Sequence, residues 1–253
     1  SFGTFNNTAA EEGRELFFSK LNRVFREDDC TFLGCAAVLS DIELSYDGND
    51  ESSLPYLGPT ANAEVFSSSS VEALSLSHDR TNICGEEGLN DTKTALDLAN
   101  IPWTDTGKAF YTEEAGVRIG ILSVKLPDNS TVDGLAAWAA SASEKCGYTV
   151  IYAERQEGSD EMYTEIAKRL IDAGCDLVCY TGYAPEEGLS ASAYNGGIVV
   201  NSLGYLLDGG SFTAADTALF RVTLTADNGT IIQIEGETLP ITYPDNPWIP
   251  TAE

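Results

Sequence analysis

The feature that most constrains this chain is a run of alternating apolar patterns between residues 117 and 181. Val117–Val124 (VRIGILSV) reads as a strand, Val132–Lys145 as an Ala-rich helix with Leu135 and Trp138 on its buried side, and Thr149–Ala153 as a second strand. Asp160–Ala173 follows as a helix carrying Met162, Ile166 and Leu170 at helical spacing and closed by Gly174 as a C-cap. Asp176–Thr181 (DLVCYT) then begins a third strand after almost no loop. Strands that alternate with helices of this length are parallel neighbours, because a parallel pair needs a crossover long enough to hold a helix. The chain is therefore read as an α/β protein.

The flanking segments extend the pattern. Ala9–Phe25 places Leu16, Phe17, Leu21, Val24 and Phe25 at helical spacing, and Cys30–Leu39 (CTFLGCAAVL) is an unbroken apolar stretch suited to a strand buried on both faces. Asp47–Ser70 is rich in Ser, Asn, Gly and Pro and reads as loop with one short helix. Val71–Ser77 resumes a strand, and Gly88–Ala99 is a helix with Leu89, Leu96 and Ala99 inward, closed by Ile101-Pro102. After Gly196-Gly197 the pattern changes: Gly197–Ser202, Ala218–Ala226 and Thr230–Leu239 are strands with no helix between them, and Asn228-Gly229 is a hairpin turn. One domain over 1–253 is expected, with βα units over 1–195, an antiparallel β half over 196–240 and a Pro-rich extended tail over 241–253. Such a sequence of elements suits a two-sheet sandwich with outer helices.

Charge narrows the partners. Forty acidic residues against fourteen basic ones give a net charge of −26, which repels polyanions over the whole surface. Nucleic acid and anionic lipid are excluded as expected partners, and a polyanion can bind only where basic residues are focused. No apolar run approaches the roughly 20 residues of a membrane helix, so no membrane insertion is expected. Six cysteines, an even number, permit disulfides in an oxidising compartment; the alternative is that they are small buried apolar residues. No CxxC pair occurs and the chain has one histidine, which argues against a Cys/His zinc site.

Three segments together resemble the CapA/PgsA family of capsule and poly-gamma-glutamate synthesis proteins. They are Glu87-Gly88-Leu89-Asn90-Asp91-Thr92 running into Ala95-Leu96 and Ile101; Leu170-Ile171-Asp172-Ala173-Gly174-Cys175-Asp176-Leu177-Val178; and Tyr194-Asn195-Gly196-Gly197 through Ser202-Leu203-Gly204-Tyr205 and Asp208. The resemblance covers nearly the whole chain in the family's order. It implies a calcineurin-like metallophosphatase fold: a two-sheet β sandwich flanked by helices, αββα in four layers, with the site at the C-terminal ends of strands. It also implies an extracellular or cell-surface location, with the targeting segment outside the sequence given.

The family's metal ligands, Asp, Asn and His, do not carry over. Gly34-Cys35-Ala36 stands where the family has Asn-Leu-Glu, and His78-Asp79-Arg80 where it has Asn-Asn-His. Arg155-Gln156-Glu157 replaces a His-Trp-Gly segment, and Tyr180-Thr181-Gly182-Tyr183-Ala184 replaces a Gly-His-His-Pro-His run. A dinuclear site that has lost nearly every ligand does not form, so no metal and no other cofactor is expected.

Two readings of the vacated site stand side by side. In one, Arg80 and Arg155 hold a carboxylate or phosphate bidentately, assisted by His78, Ser77 and Tyr183. In the other, both arginines pair internally with Asp79, Glu154 or Glu157. Tyr180, Tyr183 and Tyr205 form either a stacking platform for a sugar or peptide, or plugs over a lost cleft. His78 and Asp79 are the candidates for catalysis, although adjacent strand residues point to opposite faces. Asn195 and Asp208 read as turn residues, and Gly204 as a point of close backbone approach.

The expected function is a non-catalytic CapA-like protein that binds an anionic polymer, precursor, glycan or cell-surface partner. The alternatives are a hydrolase of the metallophosphatase superfamily acting on a phosphoester or envelope polymer, and a structural domain of a cell-surface assembly.

Overall fold

The computed structural model describes residues 13–42, 57–126, 129–156, 158–182, 188–207, 217–244 and 249–252. The chain divides into two compact units, one made of residues 1–104, 205–214 and 241–253, the other of 105–204 and 215–240. Both mix helix and strand, as the apolar periodicity requires.

The first unit opens differently from its sequence pattern. Instead of one helix over Ala9–Phe25, whose first residues lie outside the described ones, a 3-10 turn at Arg14–Leu16 leads to helix α1 (Asn22–Glu27). Gly13, at φ +94°, is not helical and precedes the 3-10 turn, and residues 17–21 are turn between it and α1. Of the apolar residues that set the spacing, Phe17, Leu21 and Phe25 are buried, Val24 is half-buried and Leu16 is exposed; Phe18 is also inside, packed edge-on against Phe25 at 5.5 Å. Each fully buried side chain of this size contributes about 1.5–3 kcal/mol.

The stretch Cys30–Leu39 is not one strand but two. β1 (Phe32–Gly34) and β2 (Val38–Leu39) are separated by Cys35, Ala36 and Ala37, because they pair with different partners. β2 lies parallel to β3 (Leu57–Gly58), which precedes a 3-10 turn at Thr60–Ala63 and the short helix α2 (Glu64–Ser67). β1 lies parallel to β4 (Ala73–Ser75), shorter than the Val71–Ser77 pattern, and β4 lies parallel to β5 (Trp103–Thr104). Helix α3 (Gly85–Leu98) buries Thr92, Ala95 and Leu96, whereas Leu89 and Ala99 are only half-buried. Thr92 fixes α3 to β2: its Oγ1 donates to the Gly88 carbonyl at 2.8 Å and accepts the Leu39 N–H at 2.9 Å.

The second unit holds the βα run. β6 (Ala109–Glu114) forms a hairpin with β7 (Val117–Leu126) through Ala115 and Gly116, both at positive φ. Helix α4 (Asn129–Ser143), β8 (Tyr148–Arg155), helix α5 (Asp160–Asp172) and β9 (Leu177–Gly182) follow. β10 (Ala191–Tyr194) turns at Asn195-Gly196 into β11 (Gly197–Val200). The six-stranded sheet has the order β10-β11-β9-β8-β7-β6, with β7, β8, β9 and β11 parallel. β11 therefore completes the parallel sheet instead of opening an antiparallel half.

Leu122, Val124, Leu126, Ile151, Ala153, Val178 and Tyr180 line one face of that sheet against Val132, Leu135 and Ala139 of α4 and Tyr163, Ala167 and Leu170 of α5. β12 (Ala218–Asp227) and β13 (Thr230–Thr242) form the hairpin expected at Asn228-Gly229, with a bulge at Thr225/Ala226. The terminal segment, read as an extended tail, contains β14 (Thr251–Ala252), which pairs with Ile241 and Thr242. No described helix is long and apolar enough to cross a membrane.

Candidate functional site

In the first unit the chain leaves β4 at Ser75 and tightens at once. Ser77 N–H donates to Ser75 Oγ at 3.2 Å and His78 N–H to the Leu76 carbonyl at 2.9 Å. The strand has thus ended before the His78-Asp79 pair, so strand alternation does not set their directions. A 3-10 turn, Asp79–Asn82, begins immediately, and His78 caps it: its Nδ1 accepts the Arg80 N–H at 3.1 Å. An Nδ1 that accepts puts the proton of the neutral ring on Nε2, leaving that edge a donor. Thr81 Oγ1 locks the turn by donating to the carbonyls of Leu76 and His78. His78 is buried, while Asp79 is exposed.

Tyr205 joins this turn within the same unit. The His78 ring meets the Tyr205 ring edge-on at 6.0 Å, and the half-exposed Arg80 guanidinium lies 5.1 Å from the centre of the same ring. The Tyr205 ring thus meets both a cation and an imidazole.

Arg155, the last residue of β8, belongs to the second unit and has a different setting. Its side chain is 2% exposed and pairs with Asp160. Nη1 donates to the Asn201 carbonyl at 3.1 Å, and Cζ lies 4.3 Å from the centre of the Tyr163 ring and 6.0 Å from that of Tyr180. Arg155 is therefore paired internally, with Asp160, a partner that neither sequence reading named. The signal for this partner is the short connection after β8: Ser159 caps α5 by accepting the Met162 N–H, which places Asp160 in the first turn beside the strand end.

Tyr180 is not part of an exposed platform. Alternation along β9 sends it to the helix-covered face, where it is fully buried, donates to the Tyr163 carbonyl at 2.8 Å and has its phenol pushed up by burial. Tyr183 and Asp208 lie outside the described residues. Asn195 is a turn residue at φ +45°, and Gly204, at φ +62°, accepts the Thr181 hydroxyl at 3.2 Å on its carbonyl.

A polar row that sequence reasoning did not single out crosses the same sheet. Lys125, Glu154 and Thr181 are register partners on β7, β8 and β9, one residue on from the cluster-facing Val124, Ala153 and Tyr180, and so on the opposite face. Glu154 and Thr181 are buried. The row lies at the C-terminal ends of parallel strands, where open α/β sheets place ligands.

None of the six cysteines is in a disulfide; Cys35, Cys146, Cys175 and Cys179 are buried, as small apolar residues would be. Among the described residues no group of three or more His, Cys, Asp or Glu side chains is arranged to hold a metal ion.

Strands, crossover helices and strand-end residues together define an α/β protein with a mostly parallel central sheet. No family model and no curated protein matches the chain. Among solved structures, it is similar to a hypothetical protein from Thermus thermophilus, with a TM-score of 0.51 and 13% identity over 91% of this chain and 95% of that one. Likeness at that identity concerns the fold alone.

Proposed function

We propose that this chain is a non-catalytic protein of the CapA/PgsA type, built on a calcineurin-like two-sheet arrangement, that binds an anionic polymer, precursor or glycan at the cell surface. The observation that carries the reading is the state of Arg155. At the position where the resemblance puts a metal-binding His-Trp-Gly segment, the chain has a buried guanidinium held by Asp160 and the Asn201 carbonyl. A fixed cation there opposes a divalent ion instead of holding it.

The other ligand positions agree. Cys35 stands at the Asn-Leu-Glu position, and burial pushes its thiol up to about 11, so it is neutral and a poor ligand at neutral pH. Among the described residues, the donors at these positions do not fit a dinuclear metal centre.

The proposed ligand contact is Arg80, half-exposed over the ring of Tyr205, with His78 against the same ring. A half-exposed guanidinium stacked on an aromatic ring is preorganised for bidentate capture of a carboxylate or phosphate, and it focuses positive charge on a chain of net charge −26. Calorimetric titration with polyglutamate and with an uncharged polymer of matched length tests this. Wild-type protein should bind polyglutamate in a salt-sensitive way, and R80A should weaken binding about tenfold, near 1.4 kcal/mol. Equal binding by R80A would overturn the reading.

A second reading, a hydrolase of envelope polymer, draws on the buried Glu154 in register with Lys125. It predicts polymer cleavage that E154Q abolishes.

A further inference from the structure

The chain contains two Asn-Gly pairs in hairpin turns, Asn195-Gly196 and Asn228-Gly229, all four residues at positive φ. Asn-Gly is favoured there because such a turn needs positive φ at both central residues. The same dipeptide is also chemically labile, since glycine has no Cβ to shield its amide nitrogen from the preceding side-chain carbonyl. The two turns differ in how the asparagine is held.

Asn195 is tied to a helix. Its Nδ2 donates to Asp172 Oδ1 at 2.8 Å, and Asp172 Oδ2 also accepts the Tyr194 hydroxyl at 3.1 Å. Asp172 is the last residue of α5. The turn is seated further by Gly197, where an added Cβ would lie 2.9 Å from Ile171 and 3.0 Å from the Asp176 carbonyl. Asn228 has no such anchor: it is exposed, and its Nδ2 donates to Asp227 Oδ1 at 3.0 Å, a side chain of the same exposed turn.

We propose that Asn228 is a site of spontaneous covalent modification, converting to aspartate and isoaspartate, and that Asp172 protects Asn195 from the same reaction. The Gly229 amide nitrogen attacks Cγ of Asn228. The new C–N bond closes a cyclic imide, the Cγ–Nδ2 bond breaks, and Nδ2 leaves as ammonia with the proton lost from the Gly229 nitrogen. Water, the one co-reactant, then adds to either imide carbonyl and opens the ring, to aspartate or to isoaspartate; nothing is oxidised or reduced. The isoaspartate product adds a backbone methylene to the turn that sets the Asp227↔Thr230 register, and either product adds a negative charge.

The test is peptide mapping by mass spectrometry of the folded protein incubated at mildly alkaline pH, with isoaspartyl methyltransferase labelling, beside a urea-unfolded sample. In the folded protein the Asn228 peptide should gain one dalton several-fold faster than the Asn195 peptide, while the unfolded sample should convert both alike. D172A should raise the Asn195 rate towards that of Asn228. Conversion of Asn195 as fast as Asn228 in the folded wild type, or no conversion of Asn228 while the unfolded sample converts, would overturn the assignment.

Discussion

The guanidinium of Arg155 lies over the ring of Tyr163, and Asp160, three residues before that tyrosine on the same helix, binds the guanidinium from the side. Residues three apart share a helix face, so one turn of α5 supplies both the aromatic surface and the counter-charge. Burial pushes the Tyr163 phenol up, and its hydroxyl donates to the carbonyls of Leu126 and Gln156, which keeps the ring in place.

This arrangement makes the two sides of the pair unequal. D160A leaves a cation buried with one fewer acceptor and should cost about 1–3 kcal/mol. R155M leaves Asp160, whose side chain is 47% exposed, to water and keeps apolar contact with both tyrosines, so it should cost less. Urea unfolding of the two variants gives the order directly, and a larger loss in R155M would contradict it.

Gly197 permits β11 to pass close to α5. An added Cβ would meet Ile171 at 2.9 Å and the Asp176 carbonyl at 3.0 Å, and the second of these is backbone. G197A should therefore destabilise by about 1–3 kcal/mol through overpacking. An unchanged midpoint in thermal unfolding would show that the sheet edge gives way more easily than the contacts imply.

The buried thiols predict a pH dependence. Burial pushes Cys175 and Cys179 up to about 12 and Cys35 up to about 11, from an ordinary value of 9.0. A group raised on folding keeps its full contribution below its unfolded value and loses it as pH rises through the folded one. Stability should thus fall between pH 9 and about 12 as the unfolded chain forms thiolates first. At neutral pH an alkylating reagent should modify Cys30 and Cys84, which are half-buried, well before Cys35, Cys175 and Cys179. Rapid native-state labelling of Cys179 would sink this picture.

The legible part of the fold is the part with strong periodicity. β7, α4, β8, α5 and β9 follow the apolar repeats that opened the sequence reading because β8 and β9 are buried along their length and the crossover helices bury one face. β10 is not legible in the sequence because Ala191-Ser192-Ala193-Tyr194 is an exposed edge with no apolar alternation; β11 is apolar and buried, but its parallel pairing with β9 is set by tertiary contacts. The split of Cys30–Leu39 was hidden by composition, since all ten residues suit a buried strand while pairing partners are set by tertiary contacts.

At the candidate site, the sequence pointed to His78, Arg80, Arg155 and Tyr205 but not to the pairing of Arg80 with Tyr205 or of Arg155 with Asp160. Tyr205 and Asp160 are near them only because a turn after β4 and a short connection after β8 bring them there.

The central proposal is that the chain's donors do not make a metallophosphatase centre, and metal content tests it most directly. The protein should be incubated with Mn²⁺, Fe²⁺ and Zn²⁺, dialysed, analysed for bound metal and assayed with a generic phosphoester. The account predicts no stoichiometric metal and no metal-dependent turnover. Tightly bound metal accompanied by turnover would contradict it and turn the search for ligands to His78, Asp79 and Glu154.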